Sequence, residues 1–101
     1  MILDRGYIII EPKQQFIDWL MKHQDTEPVK LEEIEPTVYL IDDDFMDDEI
    51  VLNKSYEEIF MYELESTSVH ESFWPLITIE QFKEFFNVKI GVSVYDIKSK
   101  Q

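Results

Sequence analysis

The chain has 101 residues, a net charge of −13, 45% hydrophobic residues and no cysteine. Its length and apolar content predict one folded domain over residues 1–101 and argue against a disordered chain. The lack of cysteine excludes disulfides, thiolate catalysis and metal centres held by cysteine. Residues 1–6 show no secretory signal, and no apolar run approaches the roughly twenty residues of a membrane span, so we expect a cytoplasmic protein with no membrane contact.

The first predicted strand and helix lie at the start of the chain. Residues 7–10 are β-branched or aromatic and apolar on both faces, which predicts a buried central strand. Pro12 suits the first turn of a helix over residues 13–23, whose apolar residues recur at helical spacing. Residues 30–35 predict one further helical turn. Residues 37–41 predict a second strand, again apolar on both faces.

Acidic residues separate this strand from the longest predicted helix. The carboxylates of residues 42–44 end the strand, because aspartate is a poor strand former. Those of residues 47–49 favour the positive end of a helix dipole, which predicts a helix over residues 47–66. Thr78 and Gln81 match a capping box at the start of a third helix, and Asn87 suits its end. Alternating residues 88–94 predict a last strand with one wet face.

The resulting order is strand, helix, strand, helix, helix, strand. It predicts an α/β (α+β) fold with a small mixed three-stranded sheet, strand order 2-1-3, and helices mainly on one face. We expect the first two strands to be parallel through a right-handed crossover, and the third to run the opposite way. A third strand at the sheet edge would permit a homodimer through pairing of edge strands.

The net charge is concentrated between residues 25 and 71. This segment holds sixteen Asp and Glu against Lys30 and Lys54, whereas the other residues hold six acids against seven bases. An acidic surface of this kind repels phosphate, so we expect no direct binding of nucleic acid or anionic lipid. It attracts a basic protein instead.

No residue pattern predicts a catalytic, cofactor or metal site, and we assign none. The acidic run of residues 42–49 lacks the glycine and the carboxylate spacing of a calcium loop. No histidine follows a glutamate at the spacing of a di-metal carboxylate site. His23 and His70 have no accompanying Gly-x-Ser-x-Gly nucleophile motif.

The candidate contacts to a partner are one acidic cluster and one tryptophan. Trp74 precedes a proline in a predicted loop, where it either covers the edge of the core or is exposed as a binding anchor. The candidate partner-binding residues are Asp42, Asp43, Asp44, Asp47, Asp48 and Trp74.

Four segments carry a resemblance to known proteins: IEPKQQFIDW (10–19), EPTVYL (35–40), YEEIF (56–60) and Trp74-Pro75. In these segments the chain resembles a group of small acidic bacterial proteins of unassigned function. The resemblance implies a bacterial, cytoplasmic protein of one domain. It carries no catalytic or binding residue over to this chain.

Three functional hypotheses follow. The first is an interaction or regulatory module that docks a basic partner through the acidic segment, with a nucleic-acid mimic as one variant. The second is an enzyme or small-ligand binder with a polar cleft where residues 11–13 and 42–44 leave the parallel strands. The third is that the charge serves solubility alone.

Overall fold

The computed structural model describes residues 3–24, 29–44 and 47–98. The predicted order of elements and the α+β class are confirmed for these residues. The elements are β1 (Arg5–Pro12), α1 (Gln14–His23), β2 (Thr37–Asp42), α2 (Asp48–Glu65), α3 (Ile79–Phe85) and β3 (Phe86–Gly91), with 3₁₀ turns at Leu31–Glu33 and Glu71–Phe73.

The three strands form one sheet in the predicted order, β2-β1-β3, but β1 and β2 are antiparallel. Thr37 lies opposite Ile10, and Asp42 lies opposite Arg5. The prediction of a parallel pair with a right-handed crossover was therefore wrong. Helix α1 is only about 15 Å long, and the thirteen residues 24–36 can span more than that distance. The chain can therefore come back along the length of α1 and begin β2 beside the end of β1, which makes the two strands antiparallel. β3 is antiparallel to β1, as predicted.

The helices pack on one face of the sheet. On that face Ile8 and Ile10 are completely buried, and Tyr39 and Ile90 pack beside them. The opposite face is open, and Val38 and Leu40 of β2 are 56% and 47% exposed there. The apolar residues of β2 thus lie on both faces of the strand but only one face is covered, because a two-layer fold leaves one side of its sheet without a covering layer.

The centre of the core is a cluster of phenylalanine rings. Phe60 and Phe86 meet at right angles with their ring centroids 5.9 Å apart, and Phe82 lies 5.2 Å from Phe86. These perpendicular and tilted contacts suit the charge distribution of aromatic rings. Residues distant in sequence thereby join α2, α3 and β3 into one packed unit.

Helix α3 passes directly into β3. The Thr78 hydroxyl accepts the backbone N–H of Gln81 at 3.2 Å, which confirms the predicted cap. The side chain of Gln81 donates to Glu84 rather than back to residue 78, so the capping box is only half formed. Phe85 ends the helix and Phe86 begins the strand. Asn87 lies inside β3 rather than at the helix end, so the strand begins earlier than predicted.

Tyr7 and Gly91 lie opposite each other on β1 and β3. The tyrosine ring covers the glycine so closely that a Cβ added at position 91 would lie 2.6 Å from its Cζ. A glycine with an aromatic ring across it is a known way of completing an edge strand. Here the close approach, and not an unusual backbone angle, requires the glycine.

Candidate functional site

The predicted acidic cluster lies at the end of β2 and at the start of α2. Asp42 is the last residue of β2, and Asp47 caps α2 by accepting the backbone N–H of Glu49 at 2.8 Å. The cap satisfies one of the unpaired donors at the start of the helix. The five predicted aspartates are all exposed: Asp42, Asp43, Asp44, Asp47 and Asp48.

Basic residues from other elements lie beside this cluster. Arg5 and Lys54 line a hollow of about 690 Å³ together with Asp42 and Asp44. The guanidinium Nε of Arg5 donates to the backbone carbonyl of Ile41 at 3.0 Å. This mixed-charge arrangement is not predictable from the sequence, because Arg5 lies opposite Asp42 only through the register of β1 with β2.

Asp48 lines a different hollow, of about 320 Å³, on the β3 side of the start of α2. Lys13 and Lys83 line it as well, and Lys83 Nζ lies 3.2 Å from Glu49 Oε2. Lys13 Nζ donates to the carbonyl of Lys83 at 2.8 Å. Three of the five aspartates therefore line two hollows that each include basic residues as well, and Asp43 and Asp47 line neither of them.

The proposed enzyme cleft between residues 11–13 and 42–44 does not form. Because β1 and β2 are antiparallel, Asp42 lies at the start of β1, opposite Arg5, whereas Glu11 lies at its far end, opposite Asn87. Six strand positions, roughly 20 Å, separate the two ends. The alternative of a polar cleft at parallel strand ends was therefore wrong.

Trp74 lies over the edge of the core. It is half-buried, it packs against the core cluster, and its indole Nε1 donates to the carbonyl of Val69 at 3.0 Å. A buried indole usually finds such a partner for its N–H. These contacts favour the covering role over the binding anchor, while a contact to a partner through its exposed half stays a prediction.

The histidines take part in local packing and turn formation. The Nδ1 of His70 accepts the backbone N–H of Ser72 at 3.1 Å and lies 2.8 Å from its hydroxyl, in an exposed turn. The ring of His23 stacks on Phe73 with centroids 5.4 Å apart. In the ranges 3–24, 29–44 and 47–98, no group of three or more His, Asp or Glu side chains is placed to hold a metal ion. No helix in these ranges is both long and apolar enough to span a bilayer.

Tyr39 links β2 to α2. Its hydroxyl donates to Glu63 at 2.5 Å, and its ring is parallel to that of Tyr62, with centroids 6.5 Å apart. Burial, and then the hydrogen bond to Glu63, raise the pKa of Tyr39 above its ordinary value. The Tyr62 hydroxyl donates to Glu58, and this bond raises the pKa of Tyr62.

A groove runs along the whole of β2, between this strand and α2. It consists of the 690 Å³ hollow, a narrower one of about 190 Å³ and a third of about 570 Å³. The first two share Leu40, Ile41 and Ser55 as lining residues. The second and third share Tyr39 and Tyr62. We call these three adjoining hollows together the β2 groove.

The structure thus brings Asp42 and Asp44 together with Arg5 and Lys54. Trp74 is not part of this group, because it packs against the core. Sequence analysis identified the exposed acids but not the groove that they border. Comparison with protein-family models, with curated proteins and with solved structures finds no match to this chain.

Proposed function

We propose that the protein is a small binding module that docks a basic partner protein through its acidic surface. One observation carries the proposal: each Asp and Glu from residue 32 to 71 is exposed, except the half-buried Glu63. Among the described residues of this segment, Glu49 is the one acid held in an ion pair, with Lys83. The remaining carboxylates keep their attraction for external cations.

The physical consequence of this surface is selection of partners by charge. Clustered charges of one sign raise the rate of encounter with an oppositely charged protein and disfavour partners of like charge. The attraction extends over about 10 Å at 0.1 M salt and less at higher salt. We therefore expect binding that weakens steeply with ionic strength. Arg5 and Lys54 would orient the partner by pairing with its own acidic groups.

The proposal also covers the cellular location and the oligomeric state of the protein. The resemblance to small acidic bacterial proteins supports a cytoplasmic protein of bacterial origin. A homodimer through an edge strand stays a prediction, and β3 does lie at an edge of the sheet. Repulsion between two chains that each carry a charge of −13 opposes such a dimer.

The test is capture of basic proteins from a bacterial lysate on the immobilised protein, at low and at high salt. The variant changes the five predicted aspartates to asparagine, which retains the helix cap at position 47 because asparagine also caps helices. A control removes the same number of charges outside the acidic segment, through Asp4→Asn, Asp18→Asn, Glu80→Gln, Glu84→Gln and Asp96→Asn.

We expect the wild type and the control to retain basic proteins at low salt only, and the five-asparagine variant to lose them. Equal capture by all three proteins would show that the five aspartates are not part of the docking surface. Equal loss from both variants would show that net charge, and not its location, governs retention. Either result contradicts the proposal.

A further inference from the structure

The outer edge of β2 is available for pairing. β2 lies at one side of the sheet, and in the described part of the chain it pairs with β1 alone. Its residues Thr37–Asp42 contain no lysine, proline or bulge, the devices by which proteins protect such edges. A six-residue strand of this kind offers about 20 Å of edge.

The β2 groove gives this edge a place for side chains. Ile50 of α2 is about half exposed, at 50%, and lines the first hollow, whereas Leu40, at 47%, borders this hollow with its side chain on the open face of the sheet. The narrow middle hollow contains Ile59 and Tyr62. An added strand alternates its side chains between two directions, so every second residue of a guest would reach the groove.

The charges along the groove select the guest. Its lining contains five carboxylates, from Glu35, Asp42, Asp44, Glu58 and Glu63. It contains two bases, Arg5 and Lys54, and both lie in the first hollow. The net charge of −3 favours a cationic guest and opposes a second copy of this acidic chain.

We propose that the β2 groove binds an extended, basic segment of a partner protein, which adds to the sheet as a fourth strand beside β2. The proposal rests on the docking function above and assigns it a place and a binding mode. Backbone hydrogen bonds to the strand edge supply affinity, and alternate side chains in the groove supply specificity.

The third hollow is suited to a lysine or arginine of this segment. Tyr62 is 52% exposed there, and Glu35 and Glu63 line the same hollow. Aromatic faces attract cations, and carboxylates form strong charge-assisted bonds with them. The guest residues that enter the groove are therefore basic, and the residues between them, which lie on the open face of the sheet beside Val38 and Leu40, are β-branched.

The experiment uses a heptapeptide of alternating lysine and valine as the probe, with binding measured by calorimetry at low salt. Two further peptides carry N-methyl groups, either on all lysine amides or on all valine amides. Only alternate N–H groups of an added strand point at its neighbour. We expect one methylated peptide to lose roughly tenfold or more in affinity, since several backbone bonds are removed, and the other to retain it.

Two protein variants locate the peptide. Leu40→Lys places a cation on the open face beside the outer edge of β2, where the β-branched residues of the guest would lie, and Val92→Lys places one at an equally exposed site, 48% against 47%, directly after β3. We expect Leu40→Lys to weaken the peptide roughly tenfold, the effect of about one lost apolar contact with added repulsion, and Val92→Lys to leave it unchanged.

Three results would overturn this inference. Equal affinities of the two methylated peptides would exclude strand addition. If Leu40→Lys leaves peptide binding unchanged and the five-asparagine variant loses it, the peptide binds to the acidic surface at a site other than the edge of β2. That result would contradict this inference and would agree with the proposed function. Concentration-dependent dimers abolished by Leu40→Lys, and not by Val92→Lys, would show that a second copy occupies the edge.

Discussion

Substitution of Gly91 by alanine tests the contact between β1 and β3. The added methyl group would lie 2.6 Å from Cζ of Tyr7, so the ring has to rotate away from β3. Tyr7 is half-buried. Full burial of a large apolar side chain stabilises by about 1.5–3 kcal/mol, so exposing this half-buried ring costs about 1 kcal/mol. Loss of the cross-strand pair adds about 0.5 kcal/mol.

The same substitution also has a favourable effect. Alanine is more stable than glycine inside a strand by about 0.5–1 kcal/mol. The net result of Gly91→Ala in the wild type is therefore a loss of about 0.5–1 kcal/mol in the free energy of unfolding. In a Tyr7→Ala background no ring opposes the methyl group, so the same change should stabilise the protein by about 0.5–1 kcal/mol.

Thermal and urea unfolding of the four proteins in this double-mutant cycle measures the coupling. A change of 1 kcal/mol shifts the midpoint of a domain of this size by about 4–8 °C, so the reversal of sign is easily resolved. Equal shifts in the two backgrounds would refute the claim that the Tyr7 ring determines the need for glycine. A stabilising effect in the wild type would refute it too.

Four further outcomes are expected. Phe82→Ala should cost about 3–5 kcal/mol in urea unfolding because its ring is fully buried, whereas Leu76→Ala, at a site 79% exposed, should change stability by less than about 0.5 kcal/mol. Asp47→Ala should cost about 1 kcal/mol through loss of the α2 cap, and Asp47→Asn should not. Ser68 has a φ of 62°, so Ser68→Gly should stabilise by about 1 kcal/mol in thermal unfolding, with Ser68→Ala as the neutral control. The pKa of Tyr39 is raised, so its stabilising effect should be complete below about pH 10 and decline as pH rises toward the folded-state value, and Tyr39→Phe should flatten stability measured across that range.

The types and order of the elements are predictable because local patterns encode them. Helical spacing in α1, acidic residues before α2 and the threonine cap of α3 are all short-range signals. The relative direction of β1 and β2 has no such signal. It depends on where residues 24–36 lead the chain, and a connection of that length permits either direction.

Exposure of the candidate site is predictable from residue type, but its composition is not. Aspartate at a turn is exposed in almost any fold. Arg5 reaches Asp42 through strand register, and Tyr39 reaches Glu63 through the packing of α2 on the sheet. Both contacts cross long stretches of sequence, so they required the tertiary structure. The exposure of Leu40 likewise depends on the number of layers, which its own strand does not specify.

The uninterrupted passage from α3 to β3 restricts how this domain can change in length. One extra residue within α3 would rotate its apolar side by about 100°, and one within β3 would exchange its buried and exposed faces. Either change would take Phe85 or Phe86 out of the core, where both are now buried. Tags, fusions and natural insertions therefore belong outside this helix–strand junction, which should stay constant in length wherever this architecture is reused.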